Sequence, residues 1–430
     1  MFWDPTQETL PPERLRAWQQ QRLLWTVNHA YTHVPYYRKA METLGLTPQD
    51  IKSLDDLQRL PFTTADDLRA AYPDGMLAVP KEQVVRVHSS SGTTGKPKVV
   101  FFTRKDLDRA AEMMARCLVM TGCTNQDVLQ NMMTYGLFTG AFMMHYGAER
   151  IGMLVVPSGP GHTERQIALM RDFRTTVLHL TPSYALYLAD YFDRHGIDPR
   201  RDFALKRAYV GAEPYTEQTR RRIEEALGIN VYNCYGLTEM SGPGVAFECL
   251  EKNGLHLWED FFLAEIVDPQ TGQPVPEGQL GELVLTTLQR EAMPLIRYRT
   301  RDITRFLPEP CPCGRTHRRI ERISGRTDDL LIVRGVNFYP QQIERVLMSI
   351  PGLGRNYQIV LTDVDQLTIR VELSPTQFDG SLTHLRALEE QVVREIREEI
   401  LVKPTVELLE PGTLPVTEGK AKRVLDQRTL

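Results

Sequence analysis

Apolar positions follow two different periods along this chain, and the changeover divides it. Near the start, Leu15, Trp18, Leu23 and Val27 recur at roughly helical spacing, which predicts an amphipathic helix, and Thr63 or Thr64 stands ready to cap a second one. Further on, short apolar runs alternate with amphipathic stretches: a strand over 153–156 before a helix from Thr163, a strand over 176–180 before a helix from Ser183, and a strand over 207–210 before a helix from Thr216. That alternation predicts parallel α/β layers. After about Tyr232 the runs over 261–267, 281–288 and 303–306 read as strands, separated by Asp268-Pro269-Gln270-Thr271-Gly272 and Pro276-Glu277-Gly278. Turn residues at that density predict an antiparallel, barrel-like subdomain. The tail holds a strand over 330–333, a helix from Gln341, two strands within 358–373, a helix near 385–400 and a strand over 405–409, enough for a small α+β domain.

The expected fold class is therefore α/β: a large N-terminal domain over 1–327, with its β-rich part at about 245–327, and a small C-terminal domain over 328–430. At 430 residues the chain exceeds the length at which one core stops growing, which agrees with two domains. A formal net charge of -4 offers no basic excess for a polyanion, so nucleic acid is not an expected partner. The start, Met1-Phe2-Trp3-Asp4-Pro5, has neither a basic segment nor an apolar one, and no later run is long enough to span a bilayer. A cytoplasmic protein without a membrane partner is the expectation. No signal sets the assembly; a homodimer is the one considered.

The chemistry begins at Ser89-Ser90-Ser91-Gly92-Thr93-Thr94-Gly95-Lys96-Pro97-Lys98, which follows a strand-like run over 84–87. Gly92 and Gly95 let successive N–H groups converge, and the hydroxyls and ammonium groups add donors for phosphate oxygens. The loop is not a Walker A motif, because Ser90 takes the first glycine position and Pro97 follows the lysine.

Further motifs follow in order: Tyr232-Asn233-Cys234-Tyr235-Gly236-Leu237-Thr238-Glu239-Met240, Tyr298-Arg299-Thr300-Arg301-Asp302, Gly325-Arg326-Thr327-Asp328-Asp329 and Leu414-Pro415-Val416-Thr417-Glu418-Gly419-Lys420. With the loop, these resemble the adenylate-forming superfamily of acyl-CoA synthetases and peptide-synthetase adenylation domains. The short length, Gly211-Ala212-Glu213-Pro214, the Arg297–Asp302 wording with Arg301 where the wider superfamily has glycine, and Gly335-Val336-Asn337-Phe338-Tyr339-Pro340 look like the phenylacetate-CoA ligase branch.

The resemblance implies ATP, Mg2+ and coenzyme A as cofactors and an aryl carboxylic acid as substrate. Ser89, Ser90, Ser91, Gly92, Thr93, Thr94, Gly95 and Lys96 would grip pyrophosphate. Glu239 would ligate Mg2+, and Tyr235 would lie on adenine beside Gly236, Tyr232 and Thr238. In Gly211-Ala212-Glu213, which would line the same site, the small residues would let the flat base approach the backbone. Asp302 and Arg326 would take the ribose hydroxyls. Lys420 would be the catalytic lysine, with Lys422 as its neighbour and confounder. The small domain would be mobile about a hinge at Asp328, presenting Gly335, Val336 and Asn337 to the pantetheine arm. Tyr135, Gly136, Phe138 and Phe142 would line an acyl slot suited to phenylacetate, with benzoate, hydroxylated phenylacetates, aminobenzoate and indoleacetate as alternatives. An enzyme loading a carrier protein would share this chemistry up to the adenylate.

Four of the six cysteines lie scattered, but Cys311-Pro312-Cys313-Gly314 forms a knuckle-like turn. With Cys249 and His256 it would complete a structural zinc site, His317 being the alternative histidine.

Overall fold

The computed structural model describes residues 1–90, 96–363, 366–374, 382–415 and 421–428. They group into two compact units, 1–159 with 232–322, and 160–231 with 323–430.

In the first unit the helix Pro12–His33 buries Leu15, Leu23, Val27 and Ala30 along one stripe. Trp18 sits at its margin and donates from Nε1 to the Asp260 carbonyl at 3.1 Å. The helix Ala65–Ala70 begins at Thr64, whose hydroxyl accepts from the Asp67 amide while the Asp67 side chain returns the bond. Thr63 is buried instead and exchanges backbone bonds with Arg297 and Arg299. Val128–Asn131 and Leu154–Val156 pair in parallel. Asn230–Leu237, Gly242–Glu248, Leu255–Leu257, Arg319–Ile320 and Phe306–Leu307 follow one another antiparallel, the short pairs being invisible to a period argument.

The β-rich part is an antiparallel ladder of Phe262–Val267, Gly281–Thr287 and Tyr298–Thr304. It does not close into a barrel among the described residues. Its third strand starts five residues before the expected 303–306 run. The inward positions Tyr298, Thr300 and Asp302 are largely polar and alternate with Arg299 and Arg301, so a purely apolar pattern could not reveal them. Arg299 pairs with buried Glu282 on the neighbouring strand.

In the second unit Val177–Leu180 and Arg207–Val210 pair in parallel and are almost wholly buried. Around them run Thr163–Asp172, Pro182–His195 capped by Thr181, and Glu217–Leu227 capped by Thr216. The tail forms a sheet ordered Thr405–Leu409, Gln366–Leu373, Leu353–Asp363 and Val424–Asp426. Its central pair is antiparallel and its outer two strands join in parallel. Leu388, Val392, Ile396 and Ile400 form the buried stripe of the helix Leu382–Ile400, in one core with Ile343, Leu347, Ile359 and Ile369. Val424–Asp426, a short run with one charge, carried no strand signal. No helix among the described residues is long and apolar enough to cross a membrane.

Candidate active site

Glu239 stands on the single turn Thr238–Met240 at the end of the strand Asn230–Leu237. The strand reaches it through Gly236, where a Cβ would lie 1.6 Å from the Gly242 carbonyl oxygen, so no other residue fits. Ser241 leaves the turn with φ 79, and Arg290 fastens it, donating from Nη1 to the Glu239 carbonyl at 2.8 Å and to the Ser241 hydroxyl at 3.1 Å.

The Glu239 carboxyl is 2 % exposed, accepts from the Tyr298 hydroxyl at 2.8 Å and forms an ion pair with Lys98. Burial pushes its pKa up, but the Lys98 ammonium and the hydrogen bonds outweigh that and hold it below the usual carboxylate value. A carboxylate kept ionised in a buried position, with a lysine as its displaceable partner, is suited to a divalent cation.

Lys98 closes the loop that opens at Ser89. Its amide donates to the Ser90 hydroxyl at 3.1 Å, and the Ser90 amide donates to the Lys98 carbonyl at 3.0 Å, so the loop leaves and returns at one point. Ser89 binds the Leu137 carbonyl through its amide at 2.8 Å. Lys96 extends toward the Tyr72 ring, and Ser91, Gly92, Thr93, Thr94 and Gly95 lie outside the described residues. Tyr235 donates its phenol to Asp302 at 2.6 Å, which joins the expected adenine and ribose residues in one contact. Tyr232 is buried, with the Lys252 ammonium 4.9 Å from its ring centre.

Phe142 is the hub of an aromatic cluster. The Tyr135 ring meets it edge-on at 5.1 Å, Tyr146 stacks on it, His88 tilts against it and the Arg86 guanidinium lies 5.1 Å from its centre. The Tyr135 hydroxyl is held between Asn131 Nδ2 at 2.9 Å and His145 Nδ1 at 3.0 Å, and burial pushes its pKa well up, so it stays a neutral phenol. Gly136 turns the chain with φ 109, and Phe138, capping the helix Thr139–Arg150, is 39 % exposed.

In the second unit, Gly211-Ala212-Glu213 follows the strand Arg207–Val210, with Ala212 at φ 66. Glu213 accepts from the amide and hydroxyl of Ser183 at 3.2 and 2.5 Å and from the Ala421 amide at 2.5 Å. Burial raises its pKa. Arg326 pairs with Asp328 at 2.9 Å, and Gly325 is obligatory because a Cβ there would meet the Tyr339 ring at 2.5 Å. Gly335, Val336 and Asn337 form the turn and return strand of a hairpin, in which Arg334 and Gly335 both have positive φ, the geometry of the tight turns that match strand twist. Lys420 lies outside the described residues, while Lys422 is exposed.

Cys249, His256, Cys311 and Cys313 come together in the first unit, their ligand atoms all within 4.8 Å of one another. The Sγ atoms of Cys249 and Cys311 are 3.7 Å apart, and Cys313 Sγ lies 3.3 Å from His256 Nε2. A tetrahedron with Zn–S of about 2.3 Å and Zn–N of about 2.0 Å has edges of about 3.8 and 3.5 Å, so the spacing fits zinc. His256 Nδ1 is satisfied by the His317 carbonyl at 3.2 Å, which leaves Nε2 for a metal. Hydrogen bonding with Cys249, then the bond and charge of His256, holds the Cys313 thiol far below its usual range. His317 is not in the cluster. Its ring nitrogens are spent on the Glu259 amide and the Gln7 carbonyl. The loop between these groups is stitched to the start of the chain: Arg315 pairs with fully buried Glu8 at 2.7 Å and donates to the Met1 carbonyl at 2.6 Å.

Sequence reasoning passed over three residues. Lys98 and Tyr298 stand inside quoted motifs, next to residues that drew the attention. Arg290 belongs to no motif, and only its partner Glu239 gives it meaning.

Residues 29–289 match the family described as AMP-binding enzyme, and residues 335–428 match the AMP-binding enzyme C-terminal domain. The chain belongs to that family of AMP-binding enzymes. Within it, the chain is 48% identical to the phenylacetate-coenzyme A ligase of Thermus thermophilus, over 100% of both chains. It is 44% identical to that of Escherichia coli, over 98% of this chain and 97% of the other. This places it among the AMP-forming acid–coenzyme A ligases. Among solved structures, a 2-hydroxyisobutyryl-CoA ligase in the postadenylation state with R3-HIB-AMP superposes with a TM-score of 0.93 at 32% identity, covering 99% of this chain and 92% of that one. The same ligase in the thioesterification state, with 2-HIB-AMP and CoA, gives 0.74 at 33% identity over 99% and 92%.

Proposed function

We propose that the chain joins phenylacetate, or a closely related aryl acid, to coenzyme A in the cytoplasm through an acyl-adenylate. The observation that carries this is the full-length likeness to phenylacetate-coenzyme A ligases, together with a buried, ionised Glu239 paired to the closing lysine of the phosphate loop.

An acid is a poor acceptor for a thiol because hydroxide leaves badly, so the carboxylate is activated first. A carboxylate oxygen attacks the α-phosphorus of ATP, the bond to the β-phosphate oxygen breaks, and pyrophosphate departs into the loop Ser89–Lys98. Bound Mg2+ would supply charge neutralisation for those phosphates, with Glu239 as the ligand. Asp302, already oriented by Tyr235, takes the ribose; Lys420 offsets charge at the α-phosphate. The CoA sulfur, its proton lost to solvent, then attacks the acyl carbonyl carbon beside the Gly335-Val336-Asn337 hairpin, and the carbon–oxygen bond to AMP breaks. Cys249, His256, Cys311 and Cys313 would hold zinc as a structural cross-link, since all four positions are protein-filled.

The test separates the half-reactions over a panel of aryl acids. Lys420→Ala should lose pyrophosphate release by about 100-fold or more, the scale of one preorganised charge. It should still convert supplied phenylacetyl-adenylate and CoA to thioester. Equal loss of both would sink the division of labour, and absence of pyrophosphate release by the unaltered protein with every aryl acid would sink the substrate class.

A further inference from the structure

Two helices of the second unit finish one another's ends. Glu217–Leu227 begins at Thr216, and like any helix it opens on amides without partners inside it and a partial positive charge. Glu344, from the helix Pro340–Ser349, reaches that opening: its Oε1 accepts from the Thr216 amide at 3.2 Å and from the Thr219 hydroxyl, and its Oε2 accepts from Tyr357 at 2.9 Å. Conversely, Arg222 on the first helix covers the carbonyl end of the second. It donates to Met348 O at 2.7 Å, Ile350 O at 3.0 Å, and Leu353 O and Gly354 O at 3.2 Å each. Anion at the amide end and cation at the carbonyl end are both the favourable choice.

Apart from the Tyr357 bond, which lies within it, every one of these bonds joins the segment 160–231 to the C-terminal family domain 335–428. Three others do the same: Arg355 reaches Asp190 at 2.6 Å and Asp193 at 3.1 Å, and Glu213 accepts from the Ala421 amide. The contacts named here are made by charge and hydrogen bonds, as reversible interdomain contacts often are, because water repays a separated carboxylate or guanidinium. The 2-hydroxyisobutyryl-CoA ligase gives 0.93 in its postadenylation state and 0.74 in its thioesterification state.

We infer that Glu344 and Arg222 are positioning residues for adenylate formation alone: they seat the C-terminal domain on residues 160–231 for the first half-reaction and are released for the second. This rests on the two-step reading proposed above. A seat specific to one state changes the population of that state and leaves the chemistry of the other untouched. Arg222, its pKa lowered to about 10 by burial, remains charged at neutral pH, so the seat persists across the working range.

The experiment uses the full chain with Glu344→Gln, Arg222→Met and, as a milder variant that removes only one donor, Thr219→Val. Pyrophosphate release from ATP and phenylacetate is measured without CoA, and thioester formation is measured from supplied phenylacetyl-adenylate with CoA. Glu344→Gln and Arg222→Met should lower the first by about tenfold or more and Thr219→Val by a few-fold, with the second unchanged or faster. Arg222→Lys, which keeps the charge but cannot span four carbonyls, should recover only part of the loss. A parallel fall in both half-reactions, at any of the three sites, would reduce these residues to packing and overturn the inference, as would no change in either. If Glu344→Gln or Arg222→Met does not fold, Thr219→Val decides alone. Failure of the unaltered protein to release pyrophosphate would instead remove the two-step reading itself, which distinguishes the two failures.

Discussion

Lys98 and Glu239 neutralise one another in a buried place, and each sets the condition of the other. The Lys98 charge opposes the upward pull of burial on Glu239, so removing it releases that pull. In Lys98→Met the pKa of Glu239 should rise, and because the carboxylate form is the one that binds a cation, the acidic limb of pyrophosphate release should move to higher pH. A pH profile that falls in height while its acidic limb stays in place would show that Lys98 acts on phosphate only. Half of this pair was readable beforehand. Glu239 was legible because a carboxylate after Tyr235-Gly236 had a motif around it, whereas Lys98 closed a recognisable loop without being singled out from it. Arg290 was not, since its task is to hold a backbone carbonyl, and carbonyls leave no mark on a sequence.

At the scale of elements, Asp106 shows how one capping side chain can serve two places. It accepts from the Thr103 amide at 3.0 Å at the start of the helix Arg104–Met120, and from the amides of Glu291 and Ala292 at 2.8 and 2.9 Å. The second pair holds the loop that carries Arg290. Asp106→Ala should cost about 2–4 kcal/mol, a lost cap plus buried amides left without an acceptor, read as a lower urea midpoint. It should also raise the Mg2+ concentration needed for half-maximal pyrophosphate release, by way of Arg290 and the Glu239 turn. A loss of stability with an unchanged Mg2+ requirement would confine Asp106 to capping.

Helices at this scale were easy to foresee where Thr64 and Thr216 mark their starts and an apolar stripe follows, while the helix expected from Ser183 begins at Pro182, capped by Thr181. The strand Tyr298–Thr304 was not, because its buried face is built from Tyr298, Thr300 and Asp302 and carries chemistry in place of apolar packing.

For the whole molecule, the Cys/His cluster joins segments about sixty residues apart along the chain, as the separations of 62 and 57 between its contacting pairs show. Purified protein should carry one zinc per chain by elemental analysis. Chelation, or Cys313→Ser, should lower the unfolding free energy by on the order of 4 kcal/mol, the scale of closing a loop of about sixty residues. Metal-free protein with an unchanged unfolding midpoint would dispose of the zinc reading. A second global expectation concerns Asp328, which pairs with Arg326. Asp328→Pro fixes φ at the proposed hinge and should stall thioester formation while sparing adenylate formation; sparing both would move the hinge elsewhere.

The stitching of residues 1–8 to the 311–317 loop gives that short segment a reach beyond its size. Glu8 lies 307 positions from Arg315, yet it is the carboxylate that keeps that buried guanidinium company, and Met1 adds a carbonyl to the same group. A protease that clipped the chain just past Glu8 would strand a buried cation beside Cys311 and Cys313. Loss of residues 1–8 would thus act as a remote cut on a knot tied three hundred residues away, and its effect should be read as a lower zinc content at the proposed Cys/His site.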